Sequence, residues 1–319
     1  MDTLTQSRRQ IATKKSDQFD LIIIGGGPAG LASAIKAKQL NLDVLVIEKA
    51  LFGGNLLNIA MINDYLGFPD QISGKELSVK IIEQFKSEKI DFKYEEVMQL
   101  NKDKSFEVIT DKASYHSKAV IIASGTQNRK LSAVGEEKYY GRGVSYCAPC
   151  DAVFFKDKHV IVAGNNERAI KSAILLTNYC QKVSLFTVKT YLNISEDLKS
   201  DLKANKKIEI FLNHRIEEIL GNESVEKFII KNLENNKLFY YQAEAIFIYV
   251  GVLPENFFVP KGLSTSEKGY LDCDKEMQTA IPGLFVAGDI RNSFIKKVST
   301  AIADGIIAAS SAYHYLSLH

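Results

Sequence analysis

Apolar residues along this chain fall into two alternating patterns. From Asp20 to Ile24 the sequence runs DLIII, a short apolar run without polar alternation, as in a strand buried on both faces of a parallel sheet. Leu31, Ile35 and Leu40 then recur on one helical face, and Asp43 to Ile47 forms the next strand. The same order returns at His159 to Val162, a helix beginning near Asn166, and a strand from Lys182 to Phe186. Near the end, TAIPGLFVAGDIR predicts a strand leading into Gly288 and Asp289, and STAIADGIIAASSAYHYL reads as a closing helix. Two βαβ units, with a last segment that returns to the first, predict an α/β fold of two Rossmann-like dinucleotide-binding domains, the second inserted in the first.

The first unit carries Gly25, Gly27 and Gly30 at G-x-G-x-x-G spacing, with Glu48 closing its second strand. Gly25 suits a tight turn, Gly27 lets a pyrophosphate approach the backbone, and Gly30 lets helix and strand pack closely. The helix N-terminus then faces the phosphates, and Glu48 can accept hydrogen bonds from ribose hydroxyls.

Composition narrows the classes. At 319 residues and 46% hydrophobic content the chain can build two ordinary cores. Lys and Arg total 40 against 38 Asp and Glu, and the net charge of +2 gives no whole-molecule field for nucleic acid or membrane. No apolar run approaches the roughly 20 residues of a membrane span. The leader MDTLTQSRRQIATKKSDQ lacks the apolar core of a secretory signal, so residues 1–17 are expected to be a flexible tail on a soluble, cytoplasmic protein.

Four cysteines are too few for a disulfide-built secreted scaffold. Cys147 and Cys150 form a C-x-x-C pair in YCAPCDA, followed at once by Asp151. A zinc site would need two further soft ligands, and neither a second C-x-x-C nor an H-x-x-x-H pair is present. No metal is expected, and the pair reads as a working dithiol, in which a thiolate attacks and a neighbouring thiol resolves the mixed disulfide. Cys180, in the apolar stretch AILLTNYC, reads as a buried helical residue, and Cys273 as a strand or turn residue without a role.

The segments GGGPAG, FGGNLLN, NDYLGFPDQISGKEL, VIIASGT, GEEKYYGRGVSYCAPCD, YVGVLPEN, IPGLFVAGDI and KKVSTA occur in the order found in low-molecular-weight thioredoxin reductases, which the chain resembles from about Phe19 to Leu316. The resemblance implies a FAD-dependent disulfide oxidoreductase and a homodimer. It implies a FAD domain from residues 18–127 and 255–319, and an inserted NAD(P)-type domain over 128–254 carrying the dithiol. Cys150 would face the flavin, Cys147 would attack the partner's disulfide, and Asp151 would be the general acid. FAD contacts are implied for Gly25, Gly27, Pro28, Ala29, Gly30 and Glu48, for Gly54, Asn55 and Asp64, and for Ala123, Ser124 and Gly125. Thr279, Phe285, Gly288 and Asp289 match the second FAD signature, whose aspartate holds the ribityl chain, and Lys297 and Val298 follow at the flavin edge.

Departures from the family pattern bear on the electron donor. The second turn reads Gly164, Asn165, Asn166, Glu167, Arg168, Ala169, so Asn166 replaces the middle glycine of a G-x-G-x-x-A turn, and Glu167 adds negative charge. The basic cluster that would grip the extra phosphate of NADPH is reduced to Lys189, and no acid ends that strand for NADH. Asn55, Asp64 and the pair Lys296 and Lys297 also replace the usual Gln, Asn and Arg-Gln. The chain therefore resembles most the ferredoxin-dependent flavin-thioredoxin reductases, with NADPH a poor donor and a thioredoxin-like protein as partner. Arg291, Lys296 and Lys297 are candidate docking cations for an acidic ferredoxin. A diflavin variant with a second FAD in the vacant groove, an NADPH enzyme with an atypical site, and a flavin redox sensor without turnover are the alternatives.

Overall fold

The computed structural model describes residues 17–319, so the tail expected over residues 1–17 lies, apart from Asp17, outside the described residues. The first apolar run is β1 (Gln18–Ile24), which the register extends past Asp20 toward its start. Helix α1 (Pro28–Gln39) opens on Pro28, whose missing N–H is harmless in a first turn. It buries Leu31 and Ile35, and leads to β2 (Val44–Glu48). Because Ile24 lies opposite Ile47 in the parallel β1–β2 pair, the glycine turn and Glu48 emerge side by side.

Helix α2 (Gly74–Ser87) starts at a Ser73–Glu76 capping box. Strand β3 (Asp91–Tyr94) joins β2 in parallel, while β4 (Val97–Lys102), β5 (Phe106–Thr110) and β6 (Ser114–Ile122) form an antiparallel run whose last member lies parallel to β1. The order is β3-β2-β1-β6-β5-β4.

The chain leaves this sheet through β7 (Thr126–Asn128). It then forms β8 (Val144–Ser145), the short helix α3 (Ala148–Asp151), β9 (His159–Gly164), α4 (Glu167–Leu176), β10 (Lys182–Phe186), α5 (Glu196–Ala204) and β11 (Ile208–Phe211). An antiparallel layer of β12 (His214–Gly221), β13 (Val225–Asn232) and β14 (Leu238–Gln242) follows, and β15 (Ala245–Tyr249) completes a second, parallel sheet in the order β11-β10-β9-β15-β8. Strand β16 (Val252–Pro254) pairs antiparallel with β7, so the outgoing and returning chains run together. Strand β17 (Leu284–Val286) then adds to β6 in parallel, and α6 (Val298–Leu318) closes the chain. Among the described residues no helix is long and apolar enough to cross a membrane.

Strand β1 is buried on both faces, as its composition requires. Leu21 and Ile23 pack with the α1 and α6 alanines, while Ile22 and Ile24 pack with Phe106, Val108, Phe258 and Leu284. The helices α1 and α6 approach closely, because a Cβ on Gly305 would meet the Ala29 carbonyl oxygen at 2.2 Å. Ser33 donates its hydroxyl to the Ala29 and Gly305 carbonyls across that contact. In the second unit the sequence misplaces one residue. Helix α4 ends at Leu176 with Thr177 as its C-cap, so Cys180 is buried in the loop beyond the helix rather than within it. Its burial pushes the thiol up to about 11.

Candidate functional site

Two of the three glycines in the first turn are demanded by packing. Gly25 has φ of +108°, and a Cβ there would meet the Ala123 carbonyl oxygen at 2.4 Å, while one on Gly30 would lie 1.8 Å from the Gly25 oxygen. Gly27 differs, since its Cβ would meet nothing within 4 Å. Open space thus lies beside the N-terminus of α1, where Pro28 and Ala29 begin the helix. Glu48 is held at the end of β2 by the Gly26 N–H at 2.6 Å and the Ala50 N–H at 2.8 Å, one to each oxygen. A cleft lined by Gly25, Glu48, Lys49, Glu95, Ser124, Glu255 and Phe258 opens next to them.

Ala123, Ser124 and Gly125 follow β6. The Ser124 hydroxyl donates to the Glu255 carbonyl at 2.7 Å, and the Glu255 N–H to the Gly125 oxygen at 3.2 Å, which ties this turn to the returning chain. Lys49 forms an ion pair with the buried Glu255 carboxylate. Neither residue stood out in the sequence, because they are brought together only by the return of the chain. These residues fit a FAD adenosine and pyrophosphate: a cleft, a bare glycine, a free helix N-terminus and an oriented acid.

Gly54 lies against Gly27, since a Cβ on it would fall 3.2 Å from the Gly27 Cα; with Asn55 it starts a 3-10 helix, Gly54–Asn58, and the Asn55 amide donates to the Thr126 carbonyl at 2.8 Å and hydroxyl at 3.0 Å. Asp289 sits in the short turn Gly288–Ile290, and burial pushes its carboxyl up against the opposing pull of Lys296. Gly288 has φ of +77°, and its N–H donates to the Asp304 carboxylate at 3.2 Å.

The three candidate docking cations are all internally engaged. Arg291 is bidentate to Asp304 at 2.9 and 3.0 Å, and Lys296 donates to the carbonyls of Asp289 and Arg291 while lying 4.1 Å from the Tyr270 ring centre. Lys297, the N-cap of α6 before Val298, pairs with Asp64 at 2.8 Å, and this hydrogen bond holds the Asp64 carboxyl below its ordinary range. Arg291 and Lys296 therefore serve the turn around Asp289, and only Lys297 keeps substantial exposure.

Cys147 and Cys150 form a disulfide with Cα atoms 5.3 Å apart. Cys147 caps α3, with its sulfur accepting the Cys150 N–H at 3.2 Å, and Pro149 occupies the first turn, where no N–H is needed. The Cys147 N–H donates to the Ser145 hydroxyl at 3.0 Å, which itself donates to Asp151 at 2.6 Å, and the Ala148 N–H donates to the Tyr249 hydroxyl at 2.8 Å. Ser145 and Tyr249 thus brace the dithiol turn, and the sequence did not single them out. Helix α3 packs against the 3-10 helix at Gly54–Asn58. In this arrangement Cys147, the expected attacking sulfur, is the buried one at 9% exposure, and Cys150 is exposed.

The second turn differs from the first. Asn166 caps α4, its side-chain oxygen accepting the Ala169 N–H at 3.0 Å and its amide donating to the Tyr249 carbonyl at 3.1 Å. Glu167 is exposed in the first turn, and Lys189 stands exposed beyond β10. Cys273 is half-buried, and burial raises its thiol.

Residues 19–305 match the family described as pyridine nucleotide-disulphide oxidoreductase. The thioredoxin reductase of Listeria innocua serovar 6a is 35% identical over 301 residues, covering 93% of this chain and 94% of that protein. Among solved structures, Lactococcus lactis thioredoxin reductase in its FR conformation matches with a TM-score of 0.87 and 33% identity, covering 94% of this chain and 100% of that one. The ferredoxin-flavin thioredoxin reductase of Clostridium acetobutylicum matches at 0.53 and 31%, covering 95% and 99%. With its Rossmann-like fold, its dithiol and a match along nearly the whole length, the chain belongs to the thioredoxin reductases of the pyridine nucleotide-disulphide oxidoreductase family, flavin-dependent enzymes that exchange disulfides.

Proposed function

We propose that this enzyme is a pyridine-nucleotide-independent thioredoxin reductase, which takes electrons from a reduced one-electron carrier such as ferredoxin and passes them to a thioredoxin-like disulfide. The observation that carries this reading is the second turn. Asn166 engages the Ala169 N–H that would otherwise be presented to a pyrophosphate, and Glu167 places a carboxylate beside it. The extra phosphate of NADPH would meet Lys189 alone. Losing two charge-assisted hydrogen bonds at about 2 kcal/mol each weakens binding by about a thousandfold. The name of the Clostridium acetobutylicum relative supports ferredoxin as the donor, although relatives named simply thioredoxin reductase match at higher identity.

In this reading the Gly25, Gly27 and Gly30 turn and the start of α1 hold the pyrophosphate of FAD, Glu48 the ribose, and Asp289 the ribityl chain. Asn55, Asp64, Lys297 and Val298 border the ring end. Bound FAD would supply the link between a one-electron donor and the two-electron chemistry of a disulfide. Cys150, exposed on the α3 that packs against Gly54–Asn58, is the sulfur that receives them, and Cys147 leaves as the thiolate. Cys147 reaches a partner once α3 parts from that helix, and Asp151, held by Ser145, supplies the proton to a departing thiolate.

The test is the anaerobic visible spectrum of the FAD-loaded protein. Micromolar NADPH or NADH is expected to leave the flavin oxidised, and reduced ferredoxin to bleach it. Rapid bleaching by NADPH would overturn the reading, and two FAD per chain with no response to ferredoxin would replace it with the diflavin alternative.

A further inference from the structure

Arg168 has no part in the steps above, yet it is the charged residue turned inward at the second nucleotide turn. It stands in the first turn of α4 with its guanidinium carbon 5.3 Å from the centre of the Tyr249 ring. Its Nε and Nη2 are buried without a hydrogen-bond partner among the described residues. Unpaired burial of such donors is costly, so a side chain at this position with no task would extend into water. Tyr249 is itself 3% exposed, and its hydroxyl oxygen accepts the N–H of Ala148, the residue that follows Cys147. One aromatic ring therefore carries a cation on its face and the start of the C-x-x-C helix at its hydroxyl.

We propose that Arg168 is a positioning residue of the dithiol: stacked on Tyr249, it steadies the Ala148 end of α3 and sets a positive charge that keeps one sulfur of the reduced Cys147 and Cys150 pair ionised at neutral pH. Reduction breaks the sulfur–sulfur bond with two electrons delivered through the flavin. With one proton taken up it leaves one thiol and one thiolate, and a second proton is bound only when that thiolate is protonated. Around the pair stand Asp151 on α3 itself, tied to Ser145, Tyr249 from β15, and the charged residues of α4, which packs against α3: Arg168 on the Tyr249 ring, and Glu167 and Lys171, half-exposed and paired with each other at 3.7 Å. The 3-10 helix Gly54–Asn58 brings no titratable side chain. Asp151, once it has given up its proton, opposes a thiolate, and burial raises the Tyr249 phenol, which stays neutral. Glu167 offsets Lys171, and the positive charge left uncompensated in this set is that of Arg168.

The inference rests on the disulfide chemistry and not on the choice of donor, so its test uses none. The FAD-loaded full chain is reduced with dithiothreitol, freed of it, and alkylated with iodoacetamide across a pH series, with the peptide bearing Cys147 and Cys150 quantified by mass spectrometry. Arg168→Met is expected to raise the midpoint of alkylation by about one pH unit, which is about tenfold less thiolate at neutral pH. Arg168→Lys should recover at least half of that shift, and Arg168→Gln carries the expectation of Arg168→Met should the latter not fold. A profile superimposable on the parent's in the neutral variants overturns the proposal, including when their melting temperature falls, since that is what a purely structural arginine would give.

Discussion

Asp304→Asn tests how the last helix holds the turn that aims Asp289. Asp304 is 5% exposed in an otherwise alanine-rich face of α6, and its carboxylate accepts three hydrogen bonds. One oxygen takes the Gly288 N–H at 3.2 Å and the Arg291 Nε–H at 2.9 Å, and the other takes the Arg291 Nη2–H at 3.0 Å. Asparagine keeps the shape but replaces one oxygen with a donor, so in either orientation at least one bond becomes donor against donor. Arg291, only 21% exposed in its side chain, also loses its counter-charge. Breaking one side of a buried ion pair costs about 3–5 kcal/mol, and the partial exposure of Arg291 puts this case near 3. At about 2–4 °C per kcal/mol for large domains, the melting temperature should fall by roughly 6–12 °C. Because Gly288 N–H is one of the three donors, the variant should also lose FAD on gel filtration more readily than the parent. Calorimetry of the flavin-free and FAD-loaded forms measures both effects. A melting temperature within about 2 °C of the parent, with full FAD retention, would refute the reasoning.

Two further outcomes follow from the same geometry. Cys150→Ser should trap the partner on Cys147 as a mixed disulfide and Cys147→Ser should trap none; a mixed disulfide found on Cys150 of Cys147→Ser by mass spectrometry would reverse the roles. Tyr115 is pushed up to about 12 by burial and by the Glu95 carboxylate, which its hydroxyl meets at 3.0 and 3.1 Å. The folded chain then keeps a proton that the unfolded chain loses near 10, so stability should fall as pH rises from about 10 to 12. Urea denaturation of Tyr115→Phe should show that limb flattened, and an equally steep loss in the variant would assign it to other groups.

What could be read from the sequence was local. The apolar run of β1, the glycine spacing and Glu48 lie within one βαβ unit, and the strand from Lys182 to Phe186 has the bounds that its pattern indicates. Those signals arise from period and turn chemistry, which neighbours in sequence decide. Contacts between distant segments left no such mark. Arg291 looked available for docking because its partner Asp304 lies on α6, and Glu255 was invisible as the partner of Lys49 until β16 brought the chain back. Cys180 was misread because α4 stops at Leu176, where Thr177 turns its hydroxyl onto the Ile174 carbonyl at 2.7 Å and the chain folds away.

The departures from the family pattern gain meaning when they are taken in pairs. Asp64 or Lys297 alone would leave an unmatched charge at this surface, but the two lie 2.8 Å apart and cancel. Both are about half exposed, so the pair adds at most about 1 kcal/mol of stability. Its consequence is electrostatic, since a neutral pair perturbs its surroundings far less than either charge alone. Asn166 follows the same logic, because both ends of its amide are used, one on Ala169 and one on Tyr249. Here the replacement is built into the turn, and the residue it bonds, Tyr249, is the one that steadies the dithiol helix through Ala148. The second turn is thereby coupled to the disulfide, whatever else it binds.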